Sequence, residues 1–220
     1  MTPTARYYEI LARLELGEWF GEYLNSNKAL RLPYHNAGHA AQMIEDVFAG
    51  AIALKIQDPL TIQALVFAAI YHDWGHSGGM HPDNVNVHTA IQHLHDLHRR
   101  GWWPTGIPLR QVEGLLHVTQ YPYIIPPEHL TLAEAVIRDA DLMSSARWMS
   151  YLQQNLLGLS AELRLTFAEF LPKQREFLIN SHMTTPWGKR AKEKFLPQAL
   201  GEIDALEKFL LEAESYGRGA

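Results

Sequence analysis

The chain contains no cysteine, so it can form neither disulfide bonds nor metal sites built from thiolates. No apolar run reaches the roughly 18 residues that a membrane span requires. The first twenty residues also lack the basic start and apolar core of a signal peptide. The net charge of −5 at pH 7 argues against nonspecific binding to nucleic acid. These absences predict a cytoplasmic protein in which any metal is bound by His, Asp and Glu.

Apolar residues recur at helical spacing along most of the chain, and neither strand alternation nor an internal repeat is visible. Asn36 or Gly38 is expected to open one helix. Asp58 and Pro59 predict the start of another, because aspartate caps a helix and proline suits its first position. The sequence therefore predicts a single all-α domain over residues 1–220. Its predicted helices cover about residues 4–24, 36–56, 59–76, 83–100, 108–118, 129–140, 144–157, 160–180 and 187–214.

Histidine is the residue type that stands out, because ten of the 12 histidines precede position 118. The stretch "RLPYHNAGHA" places His35 and His39 four residues apart, which puts them on one face of a helix. The stretch "AAIYHDWGHSGG" repeats this spacing with His72 and His76 and adds Asp73. Because Asp73 ends an apolar segment, its carboxylate needs a charged partner or a metal ion.

A third stretch, "AVIRDADLMSSA", carries Asp139 and Asp141 in an otherwise apolar run. A metal held by His39, His72, Asp73 and Asp141 would give each of these buried acids a partner. Two imidazoles and two carboxylates suit Zn, Mn or Fe(II), with positions left open for water. The residues alone leave open whether Asp139 or Asp141 is the ligand, and whether the histidines and Asp73 satisfy one another without a metal.

The order His, His-Asp, Asp on helices resembles that of the HD-domain metal-dependent phosphohydrolases. "YHNAGHA" and "HDWGH" are similar to two motifs in the catalytic domain of the cyclic nucleotide phosphodiesterases, and "LPKQREFLI" resembles their Gln-x-x-Phe stretch. "DADLMS" and "REFLINSHMTTPW" resemble a bacterial branch of predicted HD phosphohydrolases. The resemblance spans about residues 33–188 and implies a single compact HD-type helical bundle.

The resemblance implies a set of metal ligands. It favours Asp141 over Asp139, and it implies that Asp73 bridges to a second, weaker divalent ion. Gln42 stands where the phosphodiesterases carry an aspartate, which weakens the expectation of a normal second metal. The ions implied are Zn, Mn, Mg or Fe, and the tighter one is expected to bind to His39, His72, Asp73 and Asp141.

The resemblance also implies roles for residues that do not bind the tight metal. His35 is expected to be the general acid that protonates the leaving oxygen, and His76 to orient water molecules. Gln174 is expected to hydrogen-bond a base, and Phe177 to stack on it. A neighbouring carboxylate would keep His35 protonated, and the nearest downstream in the sequence are Glu45 and Asp46.

The expected function is hydrolysis of a small phosphoester by a metal-activated water, with a 3′,5′-cyclic nucleotide as the preferred substrate. A nucleotide phosphomonoester or another small phosphoester is the first alternative. A di-iron oxygenase, with His95 and His117 on a second metal, is another. The last alternative is a helical binding module without catalytic activity. No membrane partner is expected.

Overall fold

A computed structural model of the chain describes the backbone of residues 6–146 and 157–217 and the side chains of residues 6–143 and 157–213. Within these ranges the chain is helical and contains no strand, which confirms the predicted all-α bundle. Two short 3-10 helices, Lys28–Arg31 and Pro127–His129, lie in the connections. The α-helices are α1 Arg6–Arg13, α2 Gly17–Ser26, α3 Ala37–Ala53, α4 Pro59–Tyr71, α5 Asp83–Arg99, α6 Leu109–His117, α7 Leu132–Ala146, α8 Ser160–Glu162, α9 Phe167–Asn180 and α10 Pro186–Gly217.

Helix α4 forms the centre of the bundle because its sequence is apolar on every side, and residues 64–71 are all buried. Helix α3 packs against α4 and against α7, and α4 also packs against α7, so these three helices hold the core together. The first turn of α3, the end of α4 and the middle of α7 therefore meet inside the bundle.

Two predicted helix starts are confirmed by their caps. The side chain of Asn36 accepts hydrogen bonds from the backbone N–H groups of Gly38 and His39. The carboxylate of Asp58 accepts one from the N–H of Thr61, at 3.0 Å. These side chains satisfy backbone donors that a helix leaves unpaired at its N-terminus.

Several predicted helices had the wrong bounds, and the one expected over 129–140 runs from Leu132 to Ala146. The helix expected over residues 4–24 breaks at Glu15, whose φ of 57° does not fit a helix, so α1 and α2 are separate. The helix expected over 160–180 is interrupted, because Thr166 and Glu169 form a capping box that starts α9. The helix expected over 59–76 ends at Tyr71. Most of the helix predicted over 144–157 lies outside the described residues.

The apolar side chains divide into a main cluster and smaller C-terminal ones. In the described part of the chain, the buried members of the main cluster run from Ile10 to Ala140. A second cluster joins α9 to α10 and includes Phe170 and Ile203. Helix α10 also packs against α7, so the C-terminal helices form a layer over the main bundle. Among the described residues, no helix combines the length and the apolar character that crossing a membrane requires.

Candidate metal centre

Three elements bring the predicted metal ligands together. His39 lies in the first turn of α3, His72 and Asp73 directly follow α4, and Asp141 lies on α7. Both imidazoles are buried, with 2% and 3% of their surface exposed. The apolar character of α4 thus carries His72 and Asp73 to the interior end of the bundle.

The donor atoms of these residues converge on one point. The Nε2 atom of His72 lies 2.9 Å from Oδ2 of Asp73, and Nε2 of His39 lies 3.1 Å from the same oxygen. The two Nε2 atoms are 3.1 Å apart. Oδ1 of Asp141 is 3.7 Å from His39 Nε2. A single ion could therefore reach His39, His72 and Asp73 together, with Asp141 beside them.

The tautomer of His72 is set by its second nitrogen. Nδ1 donates a hydrogen bond to the carbonyl of Ala69, at 3.0 Å, so in the neutral ring Nε2 presents a lone pair. Burial opposes the charged ring, but the Asp73 carboxylate raises the pKa of His72 to about 9. At neutral pH, His72 therefore carries a proton on Nε2, the atom that faces Asp73. A divalent ion bound at this point would displace that proton.

The chemistry of the donor set fits a divalent ion. Oδ2 of Asp73 is buried and faces the Nε2 atoms of both imidazoles, and the buried Nδ1 of His39 makes no hydrogen bond within the described part of the chain. The nearby histidines overcome the effect of burial and hold the pKa of Asp73 well below its usual range, so this carboxylate is ionised. An ionised, enclosed oxygen beside two imidazoles is the environment in which Zn, Mn or Fe(II) binds.

A second group of donors shares Asp73 with the first. One donor atom from each of His35, Asp73 and His76 lies within 4.8 Å of the others. The backbone N–H of Gly78 donates to Nδ1 of His76, at 3.1 Å, so the neutral ring carries its hydrogen on Nε2. Burial and the charge of His35 lower the pKa of His76 to about 4. At neutral pH, His76 is therefore an uncharged hydrogen-bond donor through Nε2, and this nitrogen offers no lone pair to a metal ion.

His35 is held by a carboxylate that the sequence did not point to. Oε2 of Glu162 lies 2.6 Å from Nδ1 of His35, and Oε1 accepts hydrogen bonds from the N–H groups of Tyr34, at 2.5 Å, and His35, at 2.9 Å. Although burial disfavours the charged ring, Asp73 and Glu162 raise the pKa of His35. No local signal marks Glu162, which is separated from His35 by 127 residues. Asp46, one of the carboxylates considered from the sequence, instead accepts a hydrogen bond from Gln42.

These side chains line a cavity of about 280 Å³, here the metal cavity, whose wall includes His35, Asp73, His76, Asp141 and Glu162. Asp83, at the start of α5, also lines it, and its Oδ1 atom lies 3.8 Å from Nε2 of His76. The cavity is rich in carboxylates and large enough for a phosphate group and its ions.

Asp139 lies apart from the metal cavity. It is fully buried, and its two oxygens accept hydrogen bonds from the backbone N–H groups of Thr184 and Thr185, each at 2.7 Å. Asp139 thus fixes the segment that leads into α10. Of the two aspartates between which the sequence could not choose, the structure places Asp141 at the histidines.

Phe177 and Gln174 point to different surroundings. Phe177 lines a second cavity of about 480 Å³, the arginine cavity, together with Tyr121, Tyr123 and Arg138. Gln174 is buried, its side-chain nitrogen makes no hydrogen bond among the described residues, and it does not line the described walls of either cavity. The structure therefore does not place these two residues together at a binding surface.

The histidines of α5 and α6 lie away from both donor groups. His95 pairs with Glu113 on the surface between the two helices, and His117 is exposed. His93 is buried against Trp74, with the two rings stacked at 3.7 Å. His95 and His117 are thus not positioned as ligands of a second metal in the cavity.

A comparison with protein-family models finds no match for this chain, and a comparison with curated proteins finds none either.

Proposed function

We propose that this protein is a metal-dependent phosphohydrolase of the HD superfamily, which cleaves a small phosphoester with water. The observation that carries the proposal is the convergence of His39, His72 and Asp73 on one point, with Asp73 also close to His35 and His76 in a second group. A site that can hold ions beside a charged proton donor suits the transfer of a phosphoryl group to water. The resemblance of "YHNAGHA" and "HDWGH" to the HD phosphohydrolases supports the same reading.

His39, His72, Asp73 and Asp141 would hold the tighter ion, and Asp73 would contribute to a second, weaker one. A divalent ion in this position would lower the pKa of water and offset the negative charge of the phosphoryl oxygens. The carboxylates of Asp73 and Asp141 give the site the negative charge that retains a dication.

His35 would donate a proton to the departing ester oxygen. Glu162 occupies its Nδ1 atom, so the proton that can be transferred is the one on Nε2. The same carboxylate and Asp73 favour the protonated ring. Glu162 also bonds two backbone N–H groups at this point, so the imidazole is fixed in orientation before the substrate arrives.

His76 would act as a neutral hydrogen-bond donor. Its ring stacks on that of His35, with 3.5 Å between the ring centres. Two stacked imidazoles do not both carry a charge readily. The pKa of His35 is raised and that of His76 is lowered, so His35 is the charged ring and His76 the neutral one. His76 would therefore orient a water molecule or a phosphoryl oxygen through Nε2.

The substrate proposed from the resemblance is a 3′,5′-cyclic nucleotide, with a nucleotide phosphomonoester or another small phosphoester as the alternative. The position of Phe177 favours a substrate with a flat group, because Phe177 lines the arginine cavity and that cavity shares Tyr121 with the metal cavity. The buried position of Gln174 gives the cyclic nucleotide no further support.

The test is metal analysis of the purified chain combined with a panel of phosphodiesters and phosphomonoesters. We expect at least one divalent ion per chain, hydrolysis of one class of ester, loss of activity on chelation and recovery when Mn²⁺ or Zn²⁺ is returned. A chain that binds no metal would support a binding module instead. Two bound irons with oxygen uptake and no hydrolysis would support an oxygenase.

A further inference from the structure

Arg138 is a buried cation without a carboxylate partner in the described part of the chain. Only 2% of its surface is exposed. Its Nε and Nη1 groups donate to the carbonyls of Val118 and Ile125, at 3.0 and 2.8 Å. The neighbouring Asp139 directs both oxygens to backbone N–H groups, so it does not neutralise the guanidinium directly.

A guanidinium in this position is costly unless a negative charge compensates for its lost hydration. The ring of Tyr123 lies 4.4 Å from the guanidinium carbon and offers a cation–π contact. This contact and the two carbonyls bind Arg138 but carry no net charge. The Nη2 group makes no hydrogen bond to any described residue and remains a donor.

The arginine cavity supplies space in front of this charge. The wall also carries one further cation, Lys173, and one carboxylate, Glu176, both exposed, so its charge remains positive. Thr184 lies there with a hydroxyl that makes no hydrogen bond among the described residues. Three aromatic rings surround these groups: Tyr121 lies 5.5 Å from Tyr123 and 5.6 Å from Phe177, edge to face in both cases. Cations, an unused hydroxyl and ring faces together suit an anion carried on a flat organic group.

We propose that the arginine cavity binds an anionic group, a carboxylate or a phosphate, with Arg138 as its charge partner. Tyr121 lines both cavities, so a molecule whose ester phosphate lies in the metal cavity can place a second anion beside Arg138. The placing of one anion in each cavity rests on the proposed function. The substrates it implies are phosphoesters whose organic part carries its own negative charge. A 3′,5′-cyclic nucleotide has only the charge of its phosphodiester, so the two substrate proposals differ.

Binding is tested first without turnover. The protein used is the full chain carrying Asp73→Asn, freed of metal and of chelator, so that no metal ion can bind an anion in the metal cavity. Calorimetric titration then compares phenylphosphonate, which has no ester bond to cleave, with the neutral benzyl alcohol. We expect phenylphosphonate to bind at least about tenfold more tightly than benzyl alcohol, since hydrogen bonds to charged groups are the stronger ones.

Three variants in this background locate the site. Thr184→Val keeps the shape of the side chain and Lys173→Gln changes an exposed residue, so both should fold. Each should weaken phenylphosphonate binding several-fold, and Arg138→Lys should weaken it roughly tenfold or more. Lys189→Gln, an exposed lysine of α10 outside the cavity, is the control and should bind normally. Unchanged affinity in both Thr184→Val and Lys173→Gln, or equal binding of benzyl alcohol, would overturn the proposal.

The source of the anion is tested with metal-loaded protein and two esters, benzyl phosphate and 4-carboxybenzyl phosphate. If the substrate carries the anion, Thr184→Val raises KM several-fold for the carboxylated ester alone and leaves kcat unchanged. If the anion is a separate ligand, KM for both esters stays the same although phenylphosphonate binding is weakened. If neither ester is cleaved, the proposed function fails, and the titrations still decide whether the cavity binds anions.

Discussion

Helix α7 contributes an aspartate to each of two junctions, and the two carboxylates lie in different chemical surroundings. At the junction with α10, Asp139 accepts two backbone hydrogen bonds and is fully buried. At the junction with α3 and α4, Asp141 faces the imidazole of His39. The first arrangement satisfies a carboxylate with protein donors, whereas the second gathers negative charge and nitrogen lone pairs at one point. Asp139 and Asp141 look alike in the sequence, but the first has a structural role and the second is a candidate metal ligand.

The largest effect is expected at the α3–α4–α7 junction. Asp73→Ala and Asp141→Asn should each remove most of the bound metal, and hydrolysis should fall to background, because both carboxylates are proposed ligands. Elemental analysis and the ester assay measure the two losses. The unfolding free energy of metal-free Asp141→Asn should change by less than about 1 kcal/mol, since one of several adjacent negative charges is removed. A full complement of metal in either variant would contradict the ligand assignment.

The next effect separates catalysis from metal binding. His35→Ala should keep the metal but lower turnover by roughly 10²- to 10⁴-fold, the usual contribution of a proton-transfer group. A nitrophenyl ester needs less protonation of its leaving group and should partly escape this loss. Glu162→Gln should give a smaller loss with the same dependence on the leaving group. Equal losses on good and poor leaving groups would show that His35 is not the acid.

A smaller effect, of a different kind, is expected at the α7–α10 junction. Asp139→Asn places an amide group against one of the two backbone N–H groups, and this should lower the unfolding free energy by about 2 to 3 kcal/mol. The folded protein should still bind its metal, in contrast to Asp141→Asn. Chemical denaturation together with elemental analysis measures both properties. Loss of metal from a stably folded Asp139→Asn variant would contradict the assignment of a purely structural role to Asp139.

The smallest effect tests how closely α10 approaches α7. A Cβ atom on Gly188 would lie 2.3 Å from Oδ2 of Asp139, whereas one on Gly201, in the same helix, would meet nothing within 4 Å. Gly188→Ala should therefore destabilise the fold by about 1 to 3 kcal/mol. Gly201→Ala should stabilise it by about 1 kcal/mol, because alanine is the better helix former. Shifts of the same sign in thermal unfolding would contradict this packing.

The parts of the structure that depend on neighbouring residues could be predicted from the sequence. Asn36 and Asp58 start helices through hydrogen bonds within three residues of themselves, and a short window contains all the information needed. The break at Glu15 was missed because the apolar spacing continues across it, although the backbone there turns through a positive φ.

The parts that depend on the tertiary fold could not be predicted. Glu162 reaches His35 only because α8 forms part of the wall of the metal cavity, and no spacing rule connects them. The burial of Gln174 is similar: helical periodicity places it on a face with Phe177, but the packing of α9 against α10 decides which side chains are covered. Asp139 and Asp141 were indistinguishable for the same reason, since their partners come from the segment that precedes α10 and from α3.

The division of the apolar clusters has a consequence for the order of events during synthesis. The described buried members of the main cluster end at Ala140, and the four proposed ligands end one residue later, at Asp141. A chain emerging from the ribosome from its N-terminus could complete this bundle before Glu162 has been translated. We expect the nascent protein to complete the proposed ligand set first, and to hold the proposed proton donor, His35, in place only when the last third of the chain packs onto the bundle.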